Sequence, residues 1–228
     1  MTSHDPPPPL PVIPGQNNFA RRAWWRGFEL VPGVSLKTTA RLRPSLARRA
    51  QNPRDLLLAV AGAASAALTL HPRLNYYTFW GRLVWAGWPA RVGVVMENPD
   101  LTCDLPIVAD AHRKTWNALW AELSRERPAP PDSPYRRLRE AWPTACYLAE
   151  RLSGAFERDF IRRCAPVVIS MIGLPGIEEV SFTPAHNMIL FPGWPQDDQM
   201  PLTLCYNHQL ANARPLARYL LTVRDLLG

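Results

Sequence analysis

At 228 residues, with 47% hydrophobic content and nine tryptophans, the chain carries enough apolar side chain for one substantial core, which excludes a wholly disordered protein. A formal net charge of +7 raises nucleic-acid binding, yet no helix-turn-helix, zinc-finger or aromatic RNA-binding motif accompanies the basic residues, and nucleic acid is set aside as a partner. Cys103, Cys146, Cys164 and Cys205 are scattered without C-x-x-C or histidine spacing, so neither a metal site nor a disulfide framework is indicated.

The opening Pro6-Pro7-Pro8-Pro9-Leu10-Pro11 is poor in backbone donors and reads as part of an extended, disordered tail over residues 1–17, with a proline-rich ligand for a partner domain as the functional alternative. Residues 18–228 read as a single domain. The start of the chain has neither the basic nor the apolar region of a signal peptide, and a cytoplasmic location is the expectation. A short helix is expected around Ala20 to Trp25. Phe28 to Leu42 then alternates apolar and polar residues about Pro32-Gly33, as a half-buried strand with a turn or bulge does.

Asp55 to Leu70 is an alanine- and leucine-rich helix. It is short for a membrane span and stopped by His71-Pro72, so a buried core helix is expected and no membrane partner. Strands are expected at Leu74 to Phe79, Leu83 to Ala86, Arg91 to Glu97 and Leu105 to Val108, each bounded by Gly, Pro or Asn. Asp110 to Arg125 has helical spacing with Trp116, Leu119, Trp120 and Leu123 on one face. Arg127 to Pro134 holds four prolines and reads as a loop. Two further helices are expected over Tyr135 to Leu152 and Ser153 to Arg163, then strands at Val167 to Met171, Met188 to Phe191 and Leu202 to Tyr206, and a final amphipathic helix from Arg214 to Leu227. Strands and helices mixed without regular β-α-β alternation indicate an α+β layer fold. The arginine groups Arg48-Arg49, Arg136-Arg137-Arg139 and Arg162-Arg163 read either as solvated helix faces or as a surface that steers an anionic ligand.

His208 stands where an alternating strand gives way to the last helix. A histidine at such a corner is held rigidly at the rim of a sheet, and its neutral ring is suited to taking a proton near physiological pH. The order His208-x-x-x-Asn212-Ala213 followed by the Arg214 to Leu227 helix resembles the His-x-x-x-Asp-Gly signature of the chloramphenicol acetyltransferase family, which also marks the catalytic domain of 2-oxoacid dehydrogenase acyltransferases. Ser170-Met171-Ile172-Gly173-Leu174-Pro175-Gly176 and Val180-Ser181-Phe182-Thr183-Pro184 with Asn187 are similar to the family's serine segment and the stretch after it. Phe19-Ala20-Arg21-Arg22-Ala23-Trp24-Trp25 is similar to its aromatic, double-arginine entry. Asn212 replaces the signature's Asp, and Ala213 its Gly.

The resemblance implies the chloramphenicol-acetyltransferase-like layered fold, a mixed β-sheet covered by helices, and a homotrimer with active sites between subunits. It implies acyl transfer from a thioester to a small-molecule hydroxyl, amine or thiol acceptor, with acyl-coenzyme A or an acyl-carrier-protein thioester as co-substrate and no bound cofactor. His208 is then the general base, Ser170 the hydroxyl that stabilises the oxyanion, and Asn187 an accessory residue or simply a turn residue. Arg22 pairs with Asn212 to brace the corner, through a neutral amide where the family has a carboxylate. Alanine at 213 is strained if that position requires positive φ. Trp25 and Phe28 suit an apolar acceptor, although core packing accounts for them equally well. A biosynthetic tailoring, release or cyclisation enzyme fits this pattern. A noncatalytic oligomeric scaffold of the same fold is the alternative. His4, His71, His112 and His186 are expected to be structural or solvated.

Overall fold

The computed structural model describes residues 33–79, 82–97, 103–125, 142, 165–171, 188–207 and 211–228. The chain divides into two compact units, Met1–Leu123 with Ala165–Gly228, and Ser124–Cys164. Every element named here belongs to the first. The tail, the helix expected around Ala20 and the two helices expected over Tyr135 to Arg163 lie outside the described residues, apart from Trp142.

The strands are β1 (Gly33–Arg41), β2 (Tyr76–Phe79), β3 (Arg82–Trp85), β4 (Arg91–Val94), β5 (Met96–Glu97), β6 (Cys103–Asp104), β7 (Ile107–Ala109), β8 (Val167–Ile169), β9 (Met188–Pro192) and β10 (Gln199–Asn207). The α-helices are the single turn α1 (Pro44–Ala47), then α2 (Pro53–Leu70), α3 (Trp116–Leu123) and α4 (Ala213–Leu227). Six strands form one mixed sheet in the order β1-β10-β9-β8-β4-β7, while β2-β3 and β5-β6 are separate two-stranded ladders. Within the large sheet β8 runs parallel to both β4 and β9, and the remaining pairs are antiparallel. This is the mixed α+β sheet expected.

Helix α2 starts where Asn52 accepts the Arg54 N–H at 3.0 Å, with Pro53 preset in the first turn and Asp55 beside the positive helix end. Eleven of its residues are buried, Leu56, Val60, Ala64 and Leu68 among them. Helix α4 buries Leu216, Tyr219, Leu220, Val223 and Leu227, an i, i+3, i+4 stripe, and covers β1 and α2. Each fully buried Leu or Val in that stripe contributes about 1.5–3 kcal/mol. Tyr219 donates its hydroxyl to the Ala64 carbonyl at 3.2 Å, joining the two helices, and burial pushes that phenol far above its ordinary range.

Proline inside the interior strand β10 has a local explanation. The Pro201 carbonyl accepts from Gly193, so the side of the chain that lacks an N–H faces the β9–β10 turn, and the ladder to β1 is undisturbed. That turn is held by reciprocal bonds between Gln196 and Gln199, with Asp197 at φ 55°. Beside it the exposed pair Arg41–Asp198, at 2.7 Å, holds the Asp198 carboxyl below its usual range.

Several elements differ from the sequence reading: the strand expected over Leu105 to Val108 is Ile107–Ala109, and the one expected over Val167 to Met171 ends at Ile169. The strand expected over Arg91 to Glu97 is two strands, because Val95 donates to Ile169 and Met96–Glu97 turn away to pair with β6. The helix expected from Asp110 is broken: Asp110 takes the left-handed conformation at φ 47°, Ala111–Arg113 form a single 3-10 turn, and α3 begins only after Thr115, whose hydroxyl accepts the Ala118 N–H. On α3, Leu119 and Leu123 are buried, while Trp116 and Trp120 are half-buried beneath the guanidinium groups of Arg49 and Arg54, at 4.1 and 4.6 Å. Strand β10 also begins at Gln199, three residues ahead of the expected Leu202.

Candidate active site

The strand register fixes two ends of the large sheet. At one end lie the C-terminal ends of β8 and β9 and the start of β10. At the other lie Gly33, Met188 and Asn207, because Gly33 pairs with Asn207 and Met188 with Tyr206.

Ser170 follows β8 directly and extends its ladder, donating its N–H to Leu190 at 3.1 Å. Ile169 pairs with Leu190 and Leu190 with Leu204, so Ser170 stands level with Phe191 and Thr203. Strand alternation puts its side chain on the face of Val168, opposite the face where Val167 and Ile169 meet the core beneath the helices. The residue is half-buried, and among the described residues nothing bonds its hydroxyl. Thr203, 3% exposed, is the polar residue at the same level two strands away, a neighbour that the sequence alone did not reveal. Only the long-range pairing of β8, β9 and β10 brings it into view.

Asn212 is the N-cap residue of α4, with φ −69° and ψ 158°, and its side chain makes no capping hydrogen bond. An N-cap asparagine ordinarily accepts from the first turn. Here the amide is left for another partner at this corner. Ala213 is the first helical residue, and the non-glycine residues with positive φ among those described are Asp110 and Asp197. Alanine at 213 is therefore unstrained, and replacing the signature's glycine incurs no backbone penalty.

His208, Asn187, Arg22, Trp25 and Phe28 lie outside the described residues. Their sequence neighbours Asn207 and Met188, and Gly33, into which the N-terminal segment leads, share one end of the sheet. Ser170 is at the other. Asn207 is four residues along β10 from the level of Ser170 and two strands across, a separation of about 16 Å from strand geometry. Within a chain, then, the structure brings Asn207 and Met188, which adjoin His208 and Asn187 in sequence, to one rim and holds Ser170 apart from them.

No known protein family and no curated protein matches the chain by sequence. Solved structures do match, and they define the class: the chain has the chloramphenicol-acetyltransferase-like fold, the layered α+β fold of acyltransferase catalytic cores. A chloramphenicol acetyltransferase is 13% identical, with 93% of this chain and 95% of that one covered and a TM-score of 0.55. The cubic core of the pyruvate dehydrogenase multienzyme complex is 20% identical, covering 97% and 96%, with a TM-score of 0.54. Dihydrolipoamide acetyltransferase of Azotobacter vinelandii is 19% identical, covering 97% of each chain, with a TM-score of 0.54. In that enzyme a serine, a histidine and an asparagine four residues after the histidine have been investigated for their role in the catalytic mechanism.

Proposed function

We propose that this protein is an acyltransferase that moves an acyl group from a thioester, on coenzyme A or a carrier protein's pantetheine arm, to the hydroxyl of a small-molecule acceptor. The observation that carries the reading is Ser170: a half-buried hydroxyl just beyond a central strand of an acyltransferase fold, with no partner among the described residues. Neutral His208 takes the acceptor's proton as the acceptor oxygen attacks the thioester carbonyl. Ser170 donates a hydrogen bond to the tetrahedral oxyanion. Collapse of that intermediate breaks the carbon–sulfur bond, and the departing thiolate takes the proton back from the imidazolium. No acyl-enzyme forms.

The distance between the Ser170 and Asn207 ends of the sheet favours a site completed by a second copy of the chain, His208 coming from one copy and Ser170 from its neighbour. The cubic core among the matching structures supports an oligomer, and a homotrimer is proposed. The His208-x-x-x-Asn212 spacing is also that of the histidine and asparagine studied in the Azotobacter enzyme. Asparagine at this position is thus in keeping with catalysis. Arg22 is proposed to meet the Asn212 amide, with Asn187 accessory and Trp25 and Phe28 toward the acceptor.

Thiol release from a panel of acyl-coenzyme A and acyl-pantetheine donors, measured for the protein and its His208→Ala variant, tests the reading. Release that vanishes in the variant supports it. Equal behaviour on every donor, with assembly intact, favours the second reading, a noncatalytic scaffold, for which the likeness to a multienzyme core speaks.

A further inference from the structure

We propose that the cavity between α2 and the Ala111–Arg113 turn is a binding site for a small carboxylate that carries a flat apolar group. It lies among the helices that cover one face of the large sheet, the face away from the Ser170 side chain, and the inference stands apart from acyl transfer. The cavity encloses about 220 Å³, room for a ligand below drug size, and polar and apolar atoms share its lining. Two of its side chains, His112 and Arg43, supply the recognition. His112 is half-buried, and its Nδ1 lies 3.0 Å from the hydroxyl of Ser65, which is wholly buried in α2. That hydroxyl meets no other acceptor among the described residues, so it donates to Nδ1 and the hydrogen of the neutral ring stands on Nε2. Among the described residues nothing accepts from Nε2, which is left as a donor on a ring that lines the cavity.

The charge on offer sets the class of ligand. Lys114 also lines the cavity but is paired with Glu122, and no carboxylate lines the cavity itself. Arg43 lines it with no ion-pair partner among the described residues, whereas Arg41, Arg49 and Arg224 each meet a carboxylate. One unpaired guanidinium fork and one ring N–H match the two oxygens of a single carboxylate; a phosphate dianion would keep a charge uncompensated. The apolar part of the ligand has a seat as well. Ala59, Gly62, Ala63 and Ala66 give α2 a low side here, and a Cβ added at Gly62 would meet nothing within 4 Å. The Trp116 ring lines the same cavity and offers a flat wall to a flat ring.

The test is calorimetric titration of the whole protein with benzoate, benzamide and acetate, repeated on Arg43→Gln, on Gly62→Leu and on Arg48→Gln, the last an exposed arginine outside the cavity. Saturable benzoate binding that exceeds that of benzamide and acetate, weakens about tenfold or more in Arg43→Gln and in Gly62→Leu, and is unchanged in Arg48→Gln establishes the site. Gly62→Leu fills the open space with a better helix former, and thermal melts check that each variant is folded. Should Gly62→Leu unfold, the comparison of Arg43→Gln with Arg48→Gln decides. Absence of saturable binding, equal binding of benzamide or acetate, undiminished binding by a folded Gly62→Leu protein, or equal behaviour of the two arginine variants overturns the proposal.

Discussion

Ser170 and Asn207 stand at opposite ends of one sheet: Ser170 adds a hydrogen bond to Leu190 beyond the end of β8, while Asn207 pairs with Gly33 where β10 leaves the ladder. In the proposed mechanism the base takes the acceptor's proton while the oxyanion donor holds the thioester's carbonyl oxygen, so each must come within about 3 Å of its own atom in one bound pair of substrates. The proposed pairing of two copies of the chain, the exit of β10 in one facing the exit of β8 in the other, would meet that requirement.

Complementation follows from this arrangement. His208→Ala and Ser170→Ala proteins, each strongly impaired alone, are expected to regain activity when co-expressed as mixed oligomers. Random mixing leaves about a quarter of the interfaces with both groups intact, so recovery approaches that fraction of wild type. Mixed oligomers that recover nothing would place both groups in a single-chain site.

Ser170→Ala alone is expected to lower kcat by about 10²–10³-fold, roughly 3–4 kcal/mol of lost transition-state stabilisation. Its unfolding midpoint should match wild type, because no described residue bonds the hydroxyl. A lowered midpoint with little kinetic change would assign the hydroxyl a structural task instead.

At the start of α4 the structure sets a direction for two substitutions. Ala213→Gly is expected to destabilise by about 0.5–1 kcal/mol in urea titration, since the position is helical and unstrained. Asn212→Asp is expected to fold normally and to stabilise slightly at low salt, because a carboxylate is favourable at a helix N-terminus.

Gly93 in β4 has little spare room: a methyl group there would lie 3.2 Å from Leu105 Cδ1 and 3.3 Å from Val168 Cγ2. Gly93→Ala is expected to cost about 1–3 kcal/mol, and Gly93→Val more, both read from the shift in urea midpoint.

His71 gives a pH dependence with a definite sign. Burial first, and then Arg218, hold its imidazole below the ordinary range; Arg73 and Arg214 line the groove that it borders, and the neutral Tyr219 ring packs edge-on against it. The unfolded chain therefore takes up a proton at a higher pH than the native one. Stability is complete above the unfolded value near 6.5 and declines as pH falls through the lower folded value. The thermal midpoint of wild type should drop more between pH 7.5 and 5 than that of His71→Gln. Parallel curves would show that His71 titrates alike in both states.

Much of the fold was legible in local pattern. The α2 run announced itself by composition and its His71-Pro72 stop, and the final helix by the spacing of Leu216, Tyr219, Leu220 and Val223. The break at Asp110 was not, because a left-handed residue inside an otherwise helical period leaves no mark on hydrophobic spacing. Of the site, the serine and histidine segments stood out as strand exits. That they leave the sheet at opposite ends depends on the pairing of β8, β9 and β10, which are distant in sequence, and register of that kind is written in no single segment. The strain foreseen for Ala213 rested on assuming a glycine conformation that the helix start does not adopt.

The bond from Tyr219 to Ala64 spans 155 residues of chain. During synthesis the long apolar helix α2 therefore emerges long before the segment that packs on it, and β1 waits as long for β10. Until the ribosome delivers the final strand and helix, a nascent chain carries this apolar surface without them, so its yield in the cell should depend on chaperone supply and growth temperature more than the finished protein's stability would suggest.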